Sequence, residues 1–295
     1  MLTKHDKPYL DVELSDKSGN VKAKIWNDAL DKYEDSTEGD IVEVTATVEN
    51  YNDNLQLRIS SLKKTNEYNL SDYQAVSARD IESMVEQVNQ AIESTKNKFL
   101  QKLLKNVFTK DFLKDFSESS ASYRIHHAYK AGLIEHVTEM LVMADSILVR
   151  YPKMNSDLLR AGILLHDIGK IKEYQTNTSI TISTQGKLLG HIFMGAEYVK
   201  AQAPKDMPEL LLDEILHLVL SHHGQLEYGS PILPKTPEAI TLAALDNSSA
   251  KINSSYMAIH ETDSDDEFTV YYRHLGTELY RSPYMDSLTN EDVPF

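Results

Sequence analysis

Short alternations of apolar and polar residues occupy the N-terminal part of the chain, and helix-spaced apolar residues occupy most of the rest. Period-two alternation runs through Tyr9–Leu14, Val21–Ile25, Ile41–Val48 and Leu55–Leu62, the pattern of strands with one face buried. Turn-forming residues separate these stretches at Asp16–Asn20, Glu38–Asp40 and Tyr51–Asn54. The spacing predicts a small β-barrel or meander ending near residue 65, then a polar linker over 66–80 in which Ser77 or Asp80 caps the next helix. From Ile81 to Phe116 the apolar spacing predicts two helices. Another is predicted from His126 to Tyr151, stopped by Pro152, and a further one, capped by Ser156, leads into His166 and Asp167. The Thr-, Ser- and Gln-rich stretch 174–187 breaks the helical period and reads as a hairpin or loop closed by Gly186. Helices are predicted again from Gly190 to about Ala203, from Pro208 to Ser221, and from Pro237 to about Ile259. The acidic run 261–267 reads as a solvated loop, Phe268–Tyr280 is aromatic enough to pack back on a domain, and 281–295 reads as a loose tail. The chain shows no internal repeat.

Composition narrows the chemistry. A chain of 295 residues, 41% apolar and 25% charged, is long enough for one large or two ordinary soluble domains. With no cysteine, disulfides, thiolate metal sites and thiol catalysis are excluded, and any metal must be held by His, Asp or Glu. The N-terminus lacks the apolar core of a signal peptide, and no run reaches transmembrane length. A cytoplasmic protein without a membrane partner is the expectation. A formal net charge of −15 argues against a broad basic surface for duplex DNA, yet leaves room for a phosphate-bearing substrate neutralised by bound cations.

Residues of metal-ligand type recur on consecutive predicted helices: His136, the pair His166 and Asp167, His191, the pair His222 and His223, and Asp246. A single histidine closing an apolar helix is ordinarily a satisfied core residue. Seven such side chains on five helices are hard to attribute to packing. Imidazole with carboxylate suits borderline divalent metals such as Mn, Fe or Zn, and a site built only from them fits a hydrolytic metal pair.

Two resemblances add to this reading. Asp11–Trp26 resembles an OB-fold segment in which a Ser-Gly turn joins two strands, although an OB barrel needs five strands and the chain opens at what should be the second. Trp26, the only tryptophan, reads foremost as barrel core; alternatively Tyr9, Trp26, Tyr51, Lys22, Lys24 and Arg58 are candidates for gripping a single strand. The set Gly132–His136, Leu164–Lys170, Gly190–His191, Ser221–Gly224 and Asp246 resembles the HD-domain metal-dependent phosphohydrolases. The stretches His126–Gly132, Gly186–His191, Ser221–Gly229 and Pro234–Glu238 look more narrowly like the bacterial YhaM-type 3′-to-5′ exoribonucleases, over nearly the whole chain. One departure stands out: that family usually carries an aspartate three residues after the last metal-binding one, where this chain has Ser249. If that aspartate supports a ligand, serine is expected to weaken ligand orientation.

The resemblance implies a multidomain α and β protein, with an OB-like β-barrel one strand short at 1–65, a linker at 66–80, an all-α HD-domain helical bundle at 81–280 and a tail at 281–295. It implies two divalent ions per chain, Mn foremost, with Fe, Co or Mg as alternatives. Carried over residue by residue, His136, His166, Asp167 and Asp246 hold the first metal, Asp167 bridges, and His191, His222 and His223 complete the second. His217 reads as structural. Lys170 is the candidate for offsetting transition-state charge on the phosphate, with an ordinary solvated lysine as the competing reading. His126, His127, Lys187, Lys235, Lys251 and Trp26 are candidate substrate contacts. The implied reaction is hydrolysis of single-stranded RNA, with single-stranded DNA as a further candidate, to nucleoside 5′-monophosphates by metal-activated water. A homo-oligomer is left open. The competing functions are hydrolysis of small nucleotides by the HD domain, or single-strand binding with the HD domain serving only as structure.

Overall fold

The computed structural model describes residues 8–16, 19–51, 54–69, 72–73, 75–123, 125–176, 179–260 and 266–283. The tips of two expected turns (17–18 and 52–53), most of the acidic run (261–265) and the tail beyond 283 lie outside the described residues. The chain divides into two compact units, residues 1–75 with 177–181, and residues 76–176 with 182–295.

In the first unit β1 (Tyr9–Asp16) and β2 (Gly19–Trp26) pair antiparallel, placing Tyr9 opposite Trp26 and Asp11 opposite Lys24. β2 then pairs in parallel with β4 (Asn54–Lys64), Ala23 opposite Leu57 and Ile25 opposite Ile59. β3 (Val42–Tyr51) lies antiparallel to β4, with an irregularity at Thr45 and Ala46. The sheet order is β1-β2-β4-β3, and among the described residues no later strand joins it. Period two sends Ala23, Ile25 and Ile59 inward, where Leu62 and, from the 3-10 turn Asn27–Lys32, Ala29 join the core. Lys22, Lys24 and Trp26 take the opposite face. Trp26 is thus outside the core that its size favoured: the inward positions of β2 are already held by smaller residues, and it is only partly buried.

The second unit is helical. α1 (Ile81–Ser94), α2 (Lys98–Val107) and α3 (Lys110–Glu118) replace the two helices expected over 81–116. Two polar residues make the extra breaks: the side chain of Asn97 accepts from Phe99 and Leu100, and that of Thr109 from Phe112. Asp80 caps α1 by accepting from Glu82.

α4 (Gly132–Arg150) is buried along most of its length and packs against α1, α3, α5 and α9. It starts later than its apolar period suggests, because His127 and Ala131 adopt left-handed φ values of 46° and 64° and residues 126–131 form a loop instead of a helical turn. That loop folds back onto the helix start, and a Cβ on Gly132 would stand 2.1 Å from the His127 carbonyl oxygen. α5 (Ser156–Leu165) is capped by Asn155, which accepts from Leu158, with Ser156 as its first residue. α6 (Lys170–Glu173), β5 (Tyr174–Thr176) and β6 (Ile180–Ile182) follow. α7 (Thr184–Gln202) begins earlier than expected, but Gly190 (φ 71°, ψ 156°) breaks it, so a new helical segment starts at His191. α8 (Glu209–Ser221) and α9 (Pro237–His260) complete the bundle. Among the described residues no helix is long and apolar enough to cross a membrane.

The core of this unit is continuous from Met84 through Phe116, Leu133, Leu159 and Ile163 to Leu218 and Leu245. Phe116 is fully buried and meets Phe108 edge-on at 5.4 Å between ring centroids. Phe116→Ala is expected to destabilise the helical unit by about 3–5 kcal/mol, read as a lower urea midpoint for loss of helical circular dichroism.

Candidate metal centre

Five helices deliver side chains to one point. His136 comes from the second turn of α4; His166 and Asp167 follow the last turn of α5; His191 opens the second segment of α7; His222 and His223 end α8; and Asp246 lies on α9. Two of the groups in which one ligand atom per residue lies within 4.8 Å of the others hold the expected ligands: His136, His166, Asp167 and Asp246, and His191, His222 and His223. Asp167 joins them. Its Oδ2 lies 3.7 Å from His136 Nε2 and 3.2 Å from His166 Nε2, while its Oδ1 lies 3.6 Å from His191 Nε2 and 3.5 Å from His222 Nε2. Asp246 Oδ1 is 3.2 Å from His136 Nε2.

The imidazoles share one arrangement. Each is held through Nδ1: His166 to the Ile163 carbonyl at 2.8 Å, His222 to that of Val219 at 2.7 Å, His223 to that of Tyr228 at 2.7 Å, and His136 to the Ser249 hydroxyl at 2.9 Å. His191 Nδ1 lies 2.8 Å from Glu173 Oε2. The other nitrogens, Nε2 of His136, His166, His191 and His222, are buried without a hydrogen-bond partner, and so is Asp167 Oδ1. Buried polar atoms are seldom left so. A backbone or side-chain partner on Nδ1 with a free Nε2 is how metal-ligating histidines are usually oriented. The donor set, imidazole nitrogens with carboxylate oxygens, fits divalent metal ions.

The electrostatics agree. Burial pushes His136 down to about 4 and holds His222 and His223 below the ordinary imidazole value, favouring the neutral form that a metal needs. Burial would lower His166 too, but the Asp167 and Asp246 carboxylates outweigh it and its pKa is raised. Burial would raise Asp167, yet Lys170 and His166 dominate and its carboxyl lies well below the usual range. Asp246 is lowered as well: burial would raise it, but the adjacent His136 and His166 imidazoles overcome that effect.

The remaining sequence candidates fall at varied distances from this point. Lys170 is buried and donates to Asp167 Oδ2 at 2.6 Å, so it belongs to the centre and not to the solvated surface. His126 is partly buried with its ring 5.7 Å from that of His136. His127 is fully buried and points to Glu139, Nε2 to Oε2 at 3.2 Å, which is a supporting position. Lys187, Lys235 and Lys251 are exposed. His217 accepts the Lys235 backbone N–H at 2.9 Å, a structural contact. In the first unit Trp26 stacks on Tyr9 at 5.3 Å, and Lys24 Nζ lies 5.1 Å from the Tyr9 centroid.

Three participants escaped the sequence reading. Glu139 lies three residues after His136, on the same helical face, so its spacing was a usable signal. Glu173 carries no local signal, since its proximity to His191 depends on the path of β5 and β6. Gly169 acts through backbone contact: a Cβ there would stand 2.1 Å from the His191 carbonyl oxygen and 2.8 Å from Gly195 N. The turn after Asp167 therefore presses directly on the backbone of α7 beside His191.

Comparison with known families places these residues. Residues 133–251 match the model of the HD domain, a span that contains all seven ligand candidates. Residues 2–65 match the OB-fold nucleic acid binding domain. The chain thus joins an OB-fold nucleic acid binding domain to an HD domain of the metal-dependent phosphohydrolase type, the architecture of a nucleic-acid hydrolase or binder. No solved structure matches it significantly.

Two outcomes are expected. Gly169→Ala must push His191 away from Asp167, so Mn²⁺ binding by the second cluster should weaken by about tenfold or more, the scale for disturbed ligand support, measured by titration calorimetry. The second concerns pH. Because the folded pKa of His166 is raised, a proton competes with the metal at higher pH than at a free imidazole. Affinity should fall as pH is lowered through that pKa, and Mn²⁺ uptake near neutrality should release protons, detectable as a dependence of binding heat on buffer ionisation enthalpy.

Proposed function

We propose that this protein is a metal-dependent 3′-to-5′ exoribonuclease that removes nucleoside 5′-monophosphates from single-stranded RNA. The observation that carries the reading is the Asp167 carboxylate, whose two oxygens face two separate His-rich clusters. That geometry suits a pair of divalent cations of the kind that cleaves phosphodiesters. When bound, such cations supply Lewis acidity to the phosphate and acidify a water for attack.

The chain's own groups do the rest. His136, His166 and Asp246 fix one side of the site, and His191, His222 and His223 the other. Lys170 places a buried ammonium beside Asp167, where it can offset charge that develops on the phosphate oxygens. His126 lines the His136 side, its ring 5.7 Å from that of His136.

In this reading residues 1–65 grip the strand and residues 81–280 cut it. Support for the first part is the Tyr9–Trp26 stack with Lys24 beside it. Aromatics on an exposed sheet face with neighbouring cations let bases stack in a sequence-tolerant way. The 3′-to-5′ direction and the choice of RNA rest on the resemblance of His126–Gly132, Gly186–His191 and Ser221–Gly229 to the exoribonuclease family.

The test is incubation of 5′-labelled single-stranded RNA with the protein and Mn²⁺. A ladder shortening from the 3′ end, abolished by chelator and reduced at least about a thousandfold in Asp167→Ala, is expected for loss of a charged group that organises two cations. Turnover of deoxynucleoside triphosphates with RNA left intact would overturn the reading in favour of a small-nucleotide hydrolase.

A further inference from the structure

Among the five histidines that converge on the centre, His136 alone is held by a side-chain hydroxyl. His166, His222 and His223 meet backbone carbonyls, and His191 lies against a carboxylate. Ser249 stands on α9, three residues after Asp246, and is 2% exposed. Its Oγ lies 2.9 Å from His136 Nδ1 and donates to Glu139 Oε2, also at 2.9 Å. Glu139 in turn faces His127 Nε2 at 3.2 Å and receives Arg79 Nη2 at 3.2 Å on its other oxygen. Arg79 extends to Glu135 Oε1, 3.2 Å from its Nε.

The directions of these bonds follow from what each group can donate. Glu139, paired with Arg79, is a carboxylate and can only accept. Ser249 has one hydroxyl proton and gives it to Glu139. Its oxygen can then only accept from His136, which puts the imidazole proton on Nδ1 and the lone pair on Nε2. That Nε2 is the buried atom aimed at Asp246 and Asp167.

We propose that Ser249 is a positioning residue for the metal ligand His136: its hydroxyl relays the Glu139 carboxylate to the imidazole and fixes the tautomer that points Nε2 into the centre. The role explains why a small polar residue is buried there, and why Glu139 is held by a cation on one side and by Ser249 and His127 on the other. The inference rests on the reading of His136 as a ligand, so the test separates the two.

The measurement is Mn²⁺ affinity of the full chain by calorimetric titration, with the nitrogen-15 NMR signals of His136 in the metal-free protein as a second readout. Ser249→Ala should weaken Mn²⁺ binding about 10- to 100-fold and lose the single Nδ1–H tautomer, while Ser249→Thr, which keeps the hydroxyl, should stay within about threefold of the parent. Glu139→Gln should lower affinity in the same direction. The double variant with Ser249→Ala should bind no more weakly than Ser249→Ala alone, because the two act in one relay. Should Ser249→Ala fail to fold, the Thr and Gln variants carry the same test. Parent affinity in Ser249→Ala, or equal losses in the Ala and Thr variants with the parent tautomer retained, would overturn the relay. Unchanged affinity in His136→Ala would instead overturn the ligand reading on which it rests.

Discussion

The constraint the helical bundle has to accommodate is the carboxylate of Asp167, buried among more imidazole nitrogens than it can bond. Its Oδ1 and four imidazole Nε2 atoms have no hydrogen-bond partner. Each such buried group costs on the order of 1–3 kcal/mol in lost solvation, a burden that an ordinary protein core would shed. Here the costs are concentrated in one place, and every helix that contributes a ligand also contributes apolar residues to the surrounding core. Packing energy spread over α4, α5, α8 and α9 therefore holds a polar cluster that could not assemble alone. A bound divalent cation would give those unsatisfied donor atoms a partner and offset that cost.

Much of this was legible in the sequence because the ligands sit where chain punctuation is strongest. His166–Asp167 and His222–His223 each close an apolar helix just before a glycine, and His191 follows one. Their recurrence on successive helices is the signal that groups them, and the fold brings the same residues together. What the linear pattern could not convey was side-chain traffic between elements. Ser249 was visible as a departure from an aspartate, but its two partners on α4, His136 and Glu139, were not. Glu173 reaches His191 only through the hairpin between them. The loop 126–131 was misread as helix because its apolar spacing is helical, whereas the left-handed residues His127 and Ala131 leave no compositional trace. Trp26 reads foremost as barrel core, although strand alternation, with Ala23 and Ile25 already inside, points the other way.

The N-terminal unit shows how an acidic chain keeps a local surface suited to nucleic acid. On the outer face of the sheet, Lys22 and Lys24 sit opposite Glu13 and Asp11, and Arg58 meets Asp28 at 3.0 Å. Cations are present but largely balanced, so the face offers aromatic stacking more than bulk attraction. Binding through such a surface should depend only modestly on salt, since few counterions are displaced.

One carboxylate described above serves two masters. Glu173 Oε2 lies against His191 Nδ1, while its Oε1 accepts the backbone N–H of the same residue at 3.3 Å. That N–H opens the helical segment restarted after Gly190, where the first amides have no partner of their own. Helix initiation and ligand aim are thereby locked to a single side chain. Shortening the Glu173 side chain would therefore disturb the start of that segment and the orientation of His191 together.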